Sequence, residues 1–126
     1  MPRDPVFEAT DEDLARFFRG AVVHDEWYGM CARRGKLVTA MGGVFRGPGG
    51  AFYGFLDIGA GQRGPHAYRH AKRFLKRISD AGVDVVRTTC DESIPRAREF
   101  LERLGFIETD ELLDGKVMWE CQVSRR

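Results

Sequence analysis

Residues 51–67, AFYGFLDIGAGQRGPHA, decide how the chain folds. Phe52, Gly54, Leu56 and Ile58 alternate with Tyr53, Phe55 and Asp57, a period of two that predicts a strand with two differently used faces. Gly59-Ala60-Gly61-Gln62-Arg63-Gly64 ends it. Pro65 then stands at the first position of a helix, where its fixed φ is suited and no intrahelical donor is lost. Ala67, Ala71, Phe74, Leu75 and Ile78 recur at helical spacing, Arg69, Lys72, Arg73, Lys76 and Arg77 take the opposite side, and Gly82 is placed as a C′ glycine. A glycine-rich turn between a strand and a helix N-terminus gathers unpaired N–H groups and the positive end of the helix dipole at one spot. It therefore predicts phosphate binding, with Arg63 and His66 beside it. Steric need alone also produces such turns.

Outward from this stretch, Val83–Thr89 is a β-branched run that predicts a second strand. Ser93 is placed to cap a helix with Ile94, Ala97, Phe100, Leu101 and Leu104 on its apolar face, stopped by Gly105. Upstream, Trp27–Ala32 and Leu37–Phe45 flank Arg33-Arg34-Gly35-Lys36 as a hairpin, and Arg46–Gly50 turns the chain back to Tyr53. Pro5–Ala9 reads as a short strand. Thr10-Asp11-Glu12-Asp13 is a capping box for a helix with Leu14, Phe17, Phe18 and Ala21 on its apolar face, ended near His24-Asp25-Glu26. After Phe106, Asp114-Gly115 marks a hairpin turn; Val117, Trp119, Cys121 and Val123 face one way and Met118, Glu120 and Gln122 the other, a half-buried strand.

Three antiparallel strands followed by a helical crossover require a parallel neighbour for the Tyr53 strand. The expected fold class is α/β (α+β): a mixed, mostly antiparallel twisted sheet of about seven strands with helices on both faces. Ligands bind where such a sheet opens, at the carboxyl ends of strands, which brings Gly59–Gly64 and Cys90–Ser93 to the site.

The run Ala97-Arg98-Glu99-Phe100-Leu101-Glu102-Arg103-Leu104-Gly105-Phe106 resembles the segment, loosely A-x-x-L-Y-E-K-L-G-F, that closes the core of the GNAT superfamily of acyl-CoA-dependent N-acyltransferases. Gln62–Ala67 lies where that family carries its pyrophosphate loop, Q/R-x-x-G-x-G/A. The resemblance implies that the two central parallel strands splay apart and that acetyl-CoA is the co-substrate. Backbone groups of the strand ending at Ile58 and Gly59 would align the pantetheine, and Gln62, Arg63, Gly64, Pro65, His66 and Ala67, with Ser93, would hold the rest of the cofactor. The acceptor would be an amine on a small molecule or a protein, and a homodimer is compatible with the family. Pro65 replaces the first motif glycine, Leu101 the tyrosine that often serves as general acid, and Ile94 a common asparagine. Together these departures resemble the degenerate GNAT-like proteins encoded by bacteriophages, which implies the alternative of a weakly active or inactive binding or structural protein.

At 126 residues the chain is expected to form one domain with a core of its own. A formal net charge of +1 argues against a dedicated nucleic-acid binder. The basic helix side reads first as a solvated face. Cys31, Cys90 and Cys121 are an odd set without metal spacing, which points to a reducing cytoplasm and to buried thiols. No leader or membrane-spanning run is visible, and the spacing of the histidines predicts no metal site. Asp57, two residues before the loop, is the best-placed carboxylate to deprotonate an amine. A carboxylate on the exposed sheet face, or one paired with a nearby arginine, is the competing role.

Overall fold

The computed structural model describes residues 6–17, 26–58 and 65–125. Among them the strands are β1 (Val6–Glu8), β2 (Trp27–Arg34), β3 (Leu37–Arg46), β4 (Phe52–Ile58), β5 (Val85–Thr89), β6 (Ile107–Leu113) and β7 (Lys116–Gln122), and the helices α1 (Asp11–Phe17), α2 (Pro65–Asp80) and α3 (Ala97–Leu104). They form one seven-stranded sheet in the order β1-β2-β3-β4-β5-β7-β6. Only β4 and β5 run parallel, as the crossover through α2 requires.

Local chemistry accounts for the boundaries. At α1, the Thr10 amide donates to Asp13 Oδ2 at 2.9 Å while the Asp13 amide donates to Thr10 Oγ1 at 3.1 Å, the reciprocal capping box with aspartate in the acidic place. At the end of α2, Gly82 (φ 105°) donates to the Ser79 carbonyl and Val83 to that of Ile78, so the left-handed glycine closes the last turn. Val83 consequently belongs to the cap and β5 starts two residues later. Asp114 (φ 51°) and Gly115 (φ 78°) form the two-residue turn between β6 and β7.

The sheet divides two packed layers. On one face α2 and α3 bury Phe74, Leu75, Ile78 and Leu104 against Val86 and Trp119. On the other, Phe17 of α1 packs on Cys31, Val38 and Met41. Side chains as enclosed as Ile78 and Val86, each 1% exposed, contribute about 1.5–3 kcal/mol apiece. A register shift between Ala32 and Arg33 resets the alternation between β2 and β3, which lets Val38 and Met41 share a face.

Three expectations need correction. Ser93 does not cap a helix: its amide and hydroxyl donate to Asp91 Oδ1 at 3.0 and 2.6 Å, and α3 begins only at Ala97, after Arg96 in a left-handed conformation (φ 65°). The cause is Pro95, which disfavours a helical Ile94 before it; Ile94 is exposed and outside the helix. Leu101, on the same expected apolar face, is half-buried and packs against the core. Met118, on the expected polar side of β7, is buried. Pro5, Phe18, Ala21, His24 and Asp25 lie outside the described residues.

Candidate functional site

The parallel pair at the centre of the sheet is short. β4 and β5 pair only at Phe52↔Val86 and Tyr53↔Arg87, although β4 continues to Ile58 and β5 to Thr89. On its other side β4 stays paired with β3 to Ile58. The Gly54 carbonyl points toward β5, since it accepts the Thr88 hydroxyl at 3.1 Å. Alternate residues of a strand direct their amide and carbonyl to the same side, so Leu56 and Ile58 turn theirs toward the space where β5 has left the ladder. Among the described residues this leaves a row of backbone donors and acceptors at the carboxyl end of β4, the strand that precedes α2 in the chain.

Of the residues singled out in the sequence, Ile58 ends β4 beside this opening and Ala67 lies half-buried in the first turn of α2. Pro65 and His66 open α2. Gly59, Gln62, Arg63 and Gly64 lie outside the described residues, as do the side chains of Asp57, Ile58, Pro65 and His66. The Asp57 backbone is paired with Met41 of β3. Ser93 is exposed in the turn after β5, tied to Asp91. Those two bonds from Ser93 hold the Asp91 carboxyl below its ordinary range. On α2, Arg69, Lys72, Arg73 and Lys76 are exposed, and Arg77 pairs with Glu8 at 2.6 Å.

Cys90, buried at the end of β5, is no candidate nucleophile. Burial and the neighbouring Glu92 push its thiol up, with the Arg98 guanidinium opposing. Arg98 bonds Glu92 at 3.1 Å and Glu108 at 2.9 Å and lies over the Trp119 ring, tying the first turn of α3 to β6 and β7. Leu101, at the position of the family tyrosine, packs against the core as a neighbour of Phe100, whose ring meets Tyr68 edge-on at 6.5 Å. A shallow hollow of about 310 Å³ between Tyr68, Lys72, Arg103 and Gln122 lies toward the start of β5, away from the strand opening.

Two features escaped the sequence. Arg87 pairs with both Glu111 and Glu120 on the α1 side of the sheet, its Nε 3.2 Å from Glu120 but off the line of a hydrogen bond. Beside it runs the aromatic row Tyr53, Phe45 and Phe55, with ring centroids 6.1 and 6.4 Å apart. The other is Thr88. Period-two reading of Val85–Thr89 could have placed it on the Val86 face, but its bond to Gly54 depends on a neighbour 34 positions away.

No family model matches the chain, and no curated protein sequence matches it. Solved structures do: 78 chains match. A candidate acyl-CoA N-acyltransferase from Klebsiella pneumoniae aligns with a TM-score of 0.71 at 11% identity, over 95% of this chain and 97% of that one. The candidate acetyltransferase yncA of Salmonella typhimurium, solved with its cofactor acetyl-CoA, gives 0.66 at 11% identity over 97% and 95%. An acetyltransferase of the GNAT family from Staphylococcus aureus Mu50 gives 0.62 at 12% identity over 77% and 68%. The likeness at these identities is one of fold, and that fold is the GNAT fold.

Proposed function

We propose that the protein transfers an acyl group, by default acetyl, from coenzyme A to an amine in the cytoplasm. The observation that carries this reading is the early end of the β4–β5 ladder. An extended arm bearing amides, such as pantetheine, finds at Leu56 and Ile58 the groups that a strand partner would have offered. The 63–67 turn at the head of α2 is assigned the pyrophosphate. The amine nitrogen attacks the thioester carbonyl, the C–S bond breaks, and the coenzyme A thiol departs. Its proton comes from water, because Leu101 supplies no acid. The excess amine proton passes to Asp57 directly or through water. Holding both reactants in line supplies most of the acceleration. The likeness to a structure solved with acetyl-CoA supports the choice of donor.

A second reading, a GNAT-fold binding protein without turnover, is favoured by one observation: Leu101 is half-buried at the core margin where the family places a tyrosine. Release of free thiol from acetyl-CoA, measured with a panel of small amines and amine-bearing peptides, separates the two. Turnover with any acceptor supports transfer; binding of acetyl-CoA with no thiol release across the panel supports the second reading.

A further inference from the structure

A parallel ladder that continued past Tyr53↔Arg87 would give the Gly54 carbonyl its next hydrogen bond from the Thr89 amide. Gly54 instead receives the Thr88 hydroxyl, at 3.1 Å, with the Thr89 carbonyl a longer alternative for the same proton at 3.3 Å. A carbonyl orphaned at the point where two strands part would cost stability, and the side chain removes that cost. Gly54 also lets the two strands come close here: a Cβ on it would stand 3.3 Å from Val86 Cγ1. Thr88 lies on the face of Val86 and pairs with Trp119 of β7, so the well-paired β5–β7 ladder holds it in place.

We infer that Thr88 is a positioning residue that sets the apex of the β4–β5 opening, and with it the depth to which an acyl-pantetheine arm enters the sheet. The inference rests on the acyl-transfer reading for its ligand, but not for the apex itself. With Gly54 already satisfied, the first backbone donor on β4 that faces the opening without a strand partner among the described residues is the Leu56 amide. Were the Thr89 amide to take the Gly54 carbonyl, the Thr89 carbonyl would come opposite the Leu56 amide; closing that second bond would advance the apex by two residues, about 6.6 Å along the strand, and would obstruct the innermost part of the arm.

Thr88→Val keeps the shape and removes the hydroxyl; Thr88→Ser keeps the hydroxyl. In the unliganded Thr88→Val protein, amide exchange at Thr89 slows as that amide takes over the Gly54 carbonyl, and Thr88→Ser exchanges as the parent does. Acetyl-CoA binding by Thr88→Val weakens by about tenfold, the effect of one lost hydrogen-bonding register, while Thr88→Ser stays within about twofold. In turnover the change falls on the KM for acetyl-CoA and leaves that for the amine alone. Thr88→Ala, checked by its melting curve, serves if the valine variant does not fold. Unchanged exchange at Thr89 overturns the role of Thr88 at the apex; altered exchange with unchanged acetyl-CoA affinity overturns its control of ligand depth. If the parent protein itself binds no acetyl-CoA, the acyl-transfer reading fails, and the exchange measurement still decides the apex.

Discussion

Replacing Asp13 by alanine tests how the α1 side of the sheet is held. The carboxylate is 2% exposed, accepts the Thr10 amide at 2.9 Å and the Thr10 hydroxyl at 3.0 Å, and lies 3.7 Å from Arg33 Nη1. Alanine leaves the Thr10 amide and a half-buried guanidinium without this partner. Two charge-assisted bonds would be worth about 3–6 kcal/mol together. Water reaches Thr10, which is exposed, and Arg33 is half-buried, so the net loss is reduced to about 2–4 kcal/mol. The melting temperature should fall on the order of 10 °C. Burial opposes the charge on Asp13, but the Thr10 donors and Arg33 outweigh it, and its carboxyl is held below the ordinary range. A folded-state pKa that is depressed makes a contribution present above the unfolded value, about 3.9, and lost as pH falls through the folded one. The gap between parent and Asp13→Ala should therefore be constant from pH 7 to about 5 and narrow below about 4. Urea unfolding followed by tryptophan fluorescence at several pH values measures it. A gap under about 0.5 kcal/mol at pH 7, or one that persists undiminished to pH 2, would refute the reasoning.

Three further outcomes are expected. Leu104→Ala should cost about 2–5 kcal/mol, Leu101→Ala about 1–2 and Ile94→Ala less than about 0.5 in urea unfolding, the order set by buried, half-buried and exposed positions; equal costs at 94 and 104 would restore a longer α3. Native protein at pH 8 should leave Cys31 and Cys90 unreactive toward a thiol reagent, since burial and Asp13 push the Cys31 thiol up to about 11 and burial pushes Cys90 up; rapid labelling of either before unfolding would contradict this. Pro65→Gly restores a backbone donor at the start of α2 and should tighten acetyl-CoA binding by about ten- to a hundredfold by calorimetry, at about 0.4–1 kcal/mol of stability; unchanged or weaker binding would take the phosphate away from that position.

The sequence made most of the fold legible because its signals are local. The Thr10–Asp13 box, the glycines at 82 and 105, and Asp114-Gly115 each fix a boundary through bonds among residues a few positions apart. The parallel strand followed from the length of the crossover alone. Ser93 misled because it competes for two partners: an aspartate two residues back satisfied its hydroxyl before any helix could, and Pro95 delayed the helix. The site was less legible. That the two parallel strands part came only as an implication of the family resemblance, without the place; the place, after Tyr53↔Arg87, and the side chain that marks it, Thr88, depend on contacts across the sheet. The Arg87–Glu111–Glu120 group is of the same kind, assembled from three strands with no local trace.

Acetyl-CoA binding to the intact protein tests the central claim most directly. A ligand that binds only the folded state, at about a hundred times its dissociation constant, adds roughly 2.7 kcal/mol and raises the melting temperature by several degrees. The account predicts that rise with acetyl-CoA, and a matching heat of binding by titration calorimetry. No shift and no heat at millimolar acetyl-CoA would contradict acyl transfer while leaving the GNAT fold in place.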